Sequence, residues 1–456
     1  MVLIYIIKNR GDKMKWLKYF TIALFFFISL VFIFTLSRGD TFVNFGFSYA
    51  ISKGQIPYKD FNMVISPFGP ILYSIGLLLC KNIIVYYLEQ AILLTVMIYY
   101  VEKLINKKWI LFLLCLIIPY PVAFVSVIYP GYNFLILLLF IMFIYYFKKD
   151  NNYLLGILLG LIFCTKQTIG IVLFIPTVYY LFKDRKKFKE MTIGYLIPIF
   201  VLLIYLLITG SLYNFIDLCF LGLLDFNNSN SGIDIFYFIL FILGLIYIIY
   251  KTIKDKKNIL MYYVLLFSSV VLPIIDYYHV SLFLIIVVLF IIKDLTINNK
   301  LYKYIYLFIG LICIIWSYIS VKFLDPLTIT NYNNFSLVIN TKDYSDTSKK
   351  LLKYTDGLDK EVIFFMRGSE NYFYKIINNK KLNYFDLPNY GNYGYNGVNK
   401  MIKKINKKHN VYFVIDKELV VNENDNQQYI KELGQEVIKK SELVKTIGLY
   451  EIYYKK

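Results

Sequence analysis

The chain has 456 residues, 58% of them hydrophobic, 19% aromatic and only 17% charged, and its mean hydropathy is +0.58. A soluble domain of this length cannot bury that much apolar surface, so the class is a polytopic α-helical membrane protein. The formal charge of +19 does not point to nucleic acid, because most basic residues fall in short loops between apolar runs, as the positive-inside rule requires.

Lys8, Arg10, Lys13, Lys15 and Lys18 surround the start of an apolar run from Trp16 to Leu36. Its length of about 20 residues and its lack of a small-residue cleavage site predict a retained signal anchor. A polar insertion follows, SRGDTFVNFGFSYAISKGQIPYKDF (Ser37–Phe61), carrying Asp40 and Asp60. The next stretch, Met63 to Cys80, is broken by Pro67, Gly69, Pro70 and Gly76. Only Ile71–Cys80 is uninterrupted, too short to span, so this piece lies in the interface or re-enters.

Apolar spans follow at 83–101, 109–129, 132–147, 153–165, 169–182, 191–209, 233–250, 259–274, 280–292 and 303–321. With Met63–Cys80 not crossing, the loops on the N-terminal side carry 22 Lys and Arg and those on the other side carry 5. Letting that stretch cross would move 17 of the 22 to the outside. The charge pattern therefore predicts about 11 crossings, a cytoplasmic N-terminus and an extracytoplasmic C-terminus in a cell membrane. It also splits Tyr153–Phe182 into a hairpin of two short helices with Lys166 and Gln167 at its outer turn.

Beyond Val321 the character changes. Residues 322–456 hold 22 of the 49 basic and 16 of the 30 acidic residues, with no apolar run of membrane length. Strand-like Glu361–Met366, Val411–Asp416 and Gly448–Tyr454 alternate with helix-like Glu370–Asn379 and Asn426–Lys440, which predicts a small extracytoplasmic α/β domain. Its loop Asp386–Gly397 is rich in tyrosines and turn residues. It reads either as a sugar- or peptide-contacting surface or as an ordinary solvated loop.

Under this topology the outer face gathers Arg38, Asp40, Lys59 and Asp60 from the first loop, 37–82. Lys166 and Gln167 join them from the hairpin, with Asp217, Asp225 and Asp234 from a later loop and Asp276 and His279 from DYYHV. Glu89 lies about 9 Å into the second span. Ionisable groups near membrane depth usually face a polar cavity or a partner. Carboxylates beside cations suit transfer from a phosphorylated donor: an Asp takes the acceptor's proton, and Lys, Arg or His stabilises the departing phosphate. No P-loop or Ser/His/Asp ordering is present, and two histidines in the whole chain exclude a His-rich zinc site. The five cysteines lie in or beside apolar segments without a CxxC pair, so there is no disulfide framework.

Simpler roles stand beside these. Asp40 would cap a helix starting at Thr41, Asp60 would be a turn residue after Pro57-Tyr58, and Lys166 would snorkel to the interface. His279 would be an interfacial histidine, Arg38 would anchor the first span at the headgroups, and Glu89 would serve packing.

RGDTFVNFGFSYAISKGQIPYKDF, then SPFGPILY, GLIFCTKQTIG and an external DYYH, together resemble the GT-C superfamily of membrane glycosyltransferases. These use polyprenyl-phosphate-linked sugars, and the nearest likeness is to bacterial aminoarabinose transferases and protein O-mannosyltransferases. The resemblance implies a catalytic acidic residue after the first span, here Asp40, and juxtamembrane helices in the first loop. It also implies a lysine on a short-helix pair, here Lys166, and a soluble external domain, here 322–456. Residues 1–321 then form the catalytic transmembrane domain. Where many relatives carry Asp-Glu, this chain has Asp40-Thr41, so a two-carboxylate or metal-assisted version is not implied.

The expected reaction is a single inverting displacement from a polyprenyl-phosphate-sugar donor to an extracytoplasmic glycan, lipid or protein. Asp40 is the base, Lys166 holds the carrier phosphate with His279 and Arg38, and Tyr58, Asp60, Gln167 and Asp276 complete the substrate contacts. No cofactor is called for beyond the lipid-linked donor, and a divalent metal is left open. A lipid-linked glycan flippase and a polysaccharide polymerase are the rival readings.

Overall fold

In a computed structural model of the chain, the described residues are 16–24, 26–27, 40–117, 129–225, 233–295, 328–332, 335–339, 342–366, 374–376, 379–389, 391–417, 420 and 431–456. Residues 16–24 are helical. Lys18 donates to Glu102 at 2.6 Å, the Tyr19 hydroxyl donates to the same carboxylate at 2.7 Å, and the Lys18 ammonium sits 4.6 Å from the Trp109 ring. The basic end of the first apolar run thus packs on the basic loop 102–108, as expected of two segments on one face.

The polar insertion is not a loop throughout. Asp40 opens helix α1 (Asp40–Ser52), and α2 (Phe68–Leu79) packs against it. At about 18 Å, α2 is too short to cross a hydrocarbon core of about 30 Å. It buries Tyr73 and Leu77 while leaving Ile75, Leu78 and Leu79 exposed. That suits a helix lying with one face at the interface. Gly76 lets it meet its neighbour: its N–H donates to Glu89 Oε1 at 2.6 Å, where a Cβ would collide with the same carboxylate. Glu89 is thus tied to a backbone amide of α2, in keeping with a packing role.

Next come α3 (Ile83–Ile105) and α4 (Trp109–Ile117), separated by a break at Asn106 with φ +52°, then α5 (Tyr132–Phe147). Helix α5 is apolar all round and mostly buried, which makes it a core helix. Helices α6 (Asn152–Thr165) and α7 (Gln167–Phe174) form the expected hairpin, with the single extended residue Lys166 between them. A 3-10 turn and a short helix carry the chain from α7 to Lys183. Helix α8 (Arg185–Ile208) lies so close to α6 that a Cβ on Gly156 or Gly160 would strike the carbonyl oxygens of Met191 or Tyr195. Small residues at i and i+4 are what let membrane helices approach this closely.

Helix α9 (Leu212–Ile216) runs into a π-turn at Asp217–Leu221, followed by α10 (Ile235–Lys254), α11 (Ile259–Phe267) and α12 (Tyr277–Asp294). Asp234 caps α10 by accepting from Phe236 N at 3.0 Å, which explains that residue structurally. Among the described residues, three helices are long and apolar enough to cross a membrane alone: Ile83–Leu113, Arg185–Ile208 and Ile235–Lys254. The other apolar helices are shorter because glycines, prolines and 3-10 turns interrupt them. The span read at 303–321 lies outside the described residues.

The C-terminal part is α/β. An antiparallel hairpin, β1 (Thr328–Tyr332) with β2 (Phe335–Ile339), precedes α13 (Lys342–Thr355). Strands β3 (Glu361–Phe365), β4 (Val411–Asp416), β5 (Glu442–Ile447) and β6 (Tyr450–Lys455) form a sheet in the order β3-β4-β6-β5, parallel only between β3 and β4. Alternation sorts the strand residues. Ile363, Phe365, Phe413 and Ile415 pack with α14 (Gly397–Asn406) and α15 (Lys431–Lys440), and Phe364, Val414 and Ile452 pack on the other face near Leu351 of α13. The parallel β3–β4 pair buried on both faces is typical of α/β layers.

Candidate functional site

Lys166 is the centre of the site. Its φ of −146° and ψ of 102° break the helix between α6 and α7. Gly170 keeps the hairpin tight, because a Cβ there would lie 2.3 Å from Phe163 Cα. The ammonium stands 5.9 Å from the centroid of the Tyr132 ring at the start of α5. Burial lowers the Lys166 pKa to about 8, partly offset by the charge of Asp276. Asp276 caps α12 by accepting from His279 N at 2.8 Å, and its Oδ1 also lies 2.8 Å from His279 Nδ1. Burial alone would raise the Asp276 pKa, but these His279 contacts outweigh it and hold the carboxyl below its ordinary value. Asp276 is thus paired with His279 and lies within electrostatic reach of Lys166.

The head of α1 adjoins this group. Asn44, one turn after Asp40, lies 3.2 Å from where a Cβ on Gly131 would stand, and the Tyr73 hydroxyl rests against the Gly131 backbone. Gly131 immediately precedes Tyr132, so the first turn of α1 and the Lys166 hairpin flank the same corner. Asp40 is at the positive end of the α1 dipole, where a carboxylate or a phosphate is favoured. The helix begins at Asp40 itself rather than at Thr41. Arg38 lies outside the described residues.

Three other expected residues are engaged within the protein. The Gln167 amide donates to the Cys219 carbonyl at 2.5 Å, and its oxygen accepts from the Ser66 hydroxyl at 3.1 Å. Tyr58 is fully buried at φ +65°, its hydroxyl donates to the Ile65 carbonyl, and its ring meets Phe215 edge-on at 5.2 Å. Asp60 Oδ2 accepts from Ile56 N at 2.6 Å, which is the turn role. Together they fold the segment 53–67 and fasten it to the α9 region, giving the site a wall.

One residue escaped the sequence reading. Asn133 is fully buried, and neither its amide nitrogen nor its oxygen has a hydrogen-bond partner. Buried amides are nearly always satisfied, so Asn133 stands out at the head of α5, next in sequence to Tyr132. Its signal was the run Tyr-Pro-Gly-Tyr-Asn (129–133), polar residues at the head of an otherwise apolar helix. No group of three or more His, Cys, Asp or Glu able to hold a metal exists among the described residues.

Most described residues of the tyrosine-rich loop 386–397 are buried or half-buried against the rest of the protein, while Tyr395 stays 51% exposed. Asp217 Oδ1 accepts from Tyr395 N at 3.1 Å and Oδ2 from Lys400 at 2.7 Å, while Asp225 accepts from Asn396 N at 2.8 Å. Gly394, at φ +77°, has no room for a Cβ because the Asp217 carboxylate lies 2.3 Å from its position. Gln55 exchanges two hydrogen bonds with the Leu382 backbone, and Asn62 donates to the Tyr384 and Asn392 carbonyls. The α/β part is thus clasped to the face that carries Lys166. At this seam a cavity of about 210 Å³ opens between Tyr49 and Lys53 of the first loop region and Lys381 of the α/β part.

The profile of glycosyltransferase family 87 matches residues 63–292, just over half of the chain. A search of curated protein sequences gave no match. Among solved structures, ArnT from Cupriavidus metallidurans bound to undecaprenyl phosphate is similar with a TM-score of 0.56 at 11% identity, covering 96% of this chain and 97% of that one. The same protein in its apo state gives a TM-score of 0.54 at 11% identity, covering 97% and 98%. The Archaeoglobus fulgidus oligosaccharyltransferase, tethered to an acceptor peptide, gives 0.44 at 12% identity, covering 88% and 69%.

Proposed function

The chain belongs to glycosyltransferase family 87, with the GT-C membrane fold, and from that premise we propose that it moves a sugar from a polyprenyl-phosphate carrier to an extracytoplasmic acceptor. Family membership supports an enzyme and gives no support to a non-enzymatic flippase. The observation that carries the donor reading is Lys166. It is a lysine held at a helix break, 5.9 Å from the Tyr132 ring and within electrostatic reach of Asp276, which pairs with His279. ArnT, whose fold the chain shares, was solved with undecaprenyl phosphate, which agrees with a lipid-phosphate donor.

In the proposed reaction Asp40 accepts the proton of the acceptor hydroxyl or amine as that group attacks the anomeric carbon. The new glycosidic bond forms while the bond from that carbon to the carrier phosphate breaks, inverting the configuration. The bonding pair leaves on the phosphate oxygen, where the Lys166 ammonium, aided by Arg38 and His279, stabilises the charge. Asp276 positions His279 and opposes the desolvation of Lys166. Gln167, Tyr58 and Asp60 belong to the wall around the substrate rather than to the reacting groups.

The test compares lipid and surface-glycan profiles of host cells carrying wild type or Asp40→Asn at matched protein levels. Accumulation of a polyprenyl-phosphate-linked sugar with loss of one decoration is expected, and the accumulated lipid identifies the donor. Unchanged profiles, in a host where deletion of the chain does alter them, would make Asp40 a helix cap and overturn its role as base.

A further inference from the structure

Helices α10 and α12 begin side by side on the face of the site, where Asp234 N donates to the Ile275 carbonyl at 3.0 Å. They stay in contact along their length, with Gly244 packed under Phe283, Leu284 and Val287. At 20 and 18 residues they run about 27–30 Å, close to the thickness of a bilayer core. Their far ends therefore lie at the opposite membrane surface, well away from Lys166. A cavity of about 380 Å³ opens there, lined by Lys251, Lys254 and Lys293 with Asp294, over an apolar floor of Met261 and Phe290.

The charges in this corner do not balance. Asp294 is taken by Lys251 at 2.6 Å and by the Tyr247 hydroxyl at 3.0 Å. Asp255, also in the lining, accepts from Asn258 at 3.1 Å. Among the described residues no carboxylate lies within ion-pair distance of Lys254 or Lys293. Lys148, just past the end of α5, stands close enough to Lys293 for the two ammonium groups to repel. Lys108 reaches the same corner and donates to the Lys293 carbonyl at 2.7 Å. Three lysines and two aspartates thus line the cavity, with Lys148 and Lys108 adjoining it at Lys293, so positive charge is in excess here and an added anion would offset it. The outer flank of α10 at this level is greasy: Tyr250 and Ile253 are 58% and 60% exposed.

We infer that this cavity binds the phosphate head group of an anionic phospholipid from the leaflet opposite the catalytic site. The unneutralised lysines match the phosphate, and Phe290, Met261 and the apolar flank of α10 match the start of the acyl chains. A free anion would use only the first of these. Basic pockets between helices at a membrane surface recognise head groups in this way. The inference does not depend on which sugar is transferred or on Asp40.

The experiment uses the full chain, as wild type and as the double variant Lys254→Gln/Lys293→Gln, with phosphatidylglycerol as the probe lipid. Retained lipids are counted by native mass spectrometry, and Tm is measured in phosphatidylcholine nanodiscs with and without phosphatidylglycerol. The wild type is expected to retain phosphatidylglycerol over phosphatidylcholine and to gain Tm from it. The double variant is expected to bind phosphatidylglycerol about thirtyfold more weakly, and Lys254→Arg/Lys293→Arg to bind it normally. Equal retention by wild type and the Gln variant overturns the inference. So does an equal Tm gain from inorganic phosphate in pure phosphatidylcholine, which would make the cavity a small-anion site. If the Gln variant does not fold, Lys148→Gln takes its place with the same expectations.

Discussion

Lys166 is placed so that its protonation is worth measuring. Burial brings its pKa down to about 8, against an ordinary value of 10.5, so the free enzyme loses the ammonium as pH rises through about 8. If the ammonium holds the donor phosphate, the KM for the lipid donor rises through that pH. At saturating donor kcat holds to higher pH, because a bound phosphate favours the charged form. Lys166→Arg keeps its charge throughout and should abolish this rise; an unchanged profile in that variant assigns the titration to another group. The stability effect has the opposite sign. The unfolded chain holds more protons than the folded one between about 8 and 10.5, so the Lys166 contribution to stability improves as pH rises across that window. The lysine was visible in the sequence because a cation between two apolar runs is costly and rare. Gln167 and Tyr58 were open to misreading because their partners, Ser66, Cys219, Ile65 and Phe215, mostly lie far along the chain. A polar residue does not announce whether its hydrogen bonds go to substrate or to protein.

The α6–α7 hairpin shows which elements a sequence can reveal. Charge asymmetry demanded a turn at Lys166, and strand pieces such as Val411–Asp416 stood out by alternation. Strand β5 did not, because five of its six residues are exposed and its register depends on pairing with β6. What makes the hairpin precise is packing rather than pattern. With Gly170 pressed on the Phe163 backbone, Gly170→Ala must splay the two helices and shift Lys166. Overpacking of this kind costs about 1–3 kcal/mol. The expected outcome is a lower Tm in detergent together with a raised KM for the lipid donor. Retained Tm and KM would mean that the hairpin tolerates a wider spacing and does not set the lysine's position.

For the molecule as a whole, the clasp joins two kinds of information. The distribution of 22 and 5 basic residues assigns sides to the loops, and the contacts assign the α/β part to one of them. Asp217, Asp225, Gln55 and Asn62 all hold segments of 382–400, and these four lie on the face with Lys166. The sequence could not foresee the clasp, since a loop rich in tyrosine, asparagine and glycine looks alike whether it meets water, sugar or another part of the chain. Both lines together support the proposal that the α/β part sits on the side opposite Lys107, Lys148 and Lys254. A phosphatase reporter, active only outside the cytoplasm, is therefore expected to be active when fused after Lys456 and inactive when inserted after Asp255. A reversed pair would place Lys166 and Asp40 at the cytoplasmic surface, where an acceptor outside the cell could not reach them, and the proposed acceptor would fall with the topology. Asp217→Ala separates the clasp from the topology. It leaves both reporter activities unchanged, but hydrogen exchange across 391–400 should rise because Tyr395 N–H and Lys400 lose their shared carboxylate. Unchanged exchange would show that the Gln55 and Asn62 contacts alone hold the two parts together.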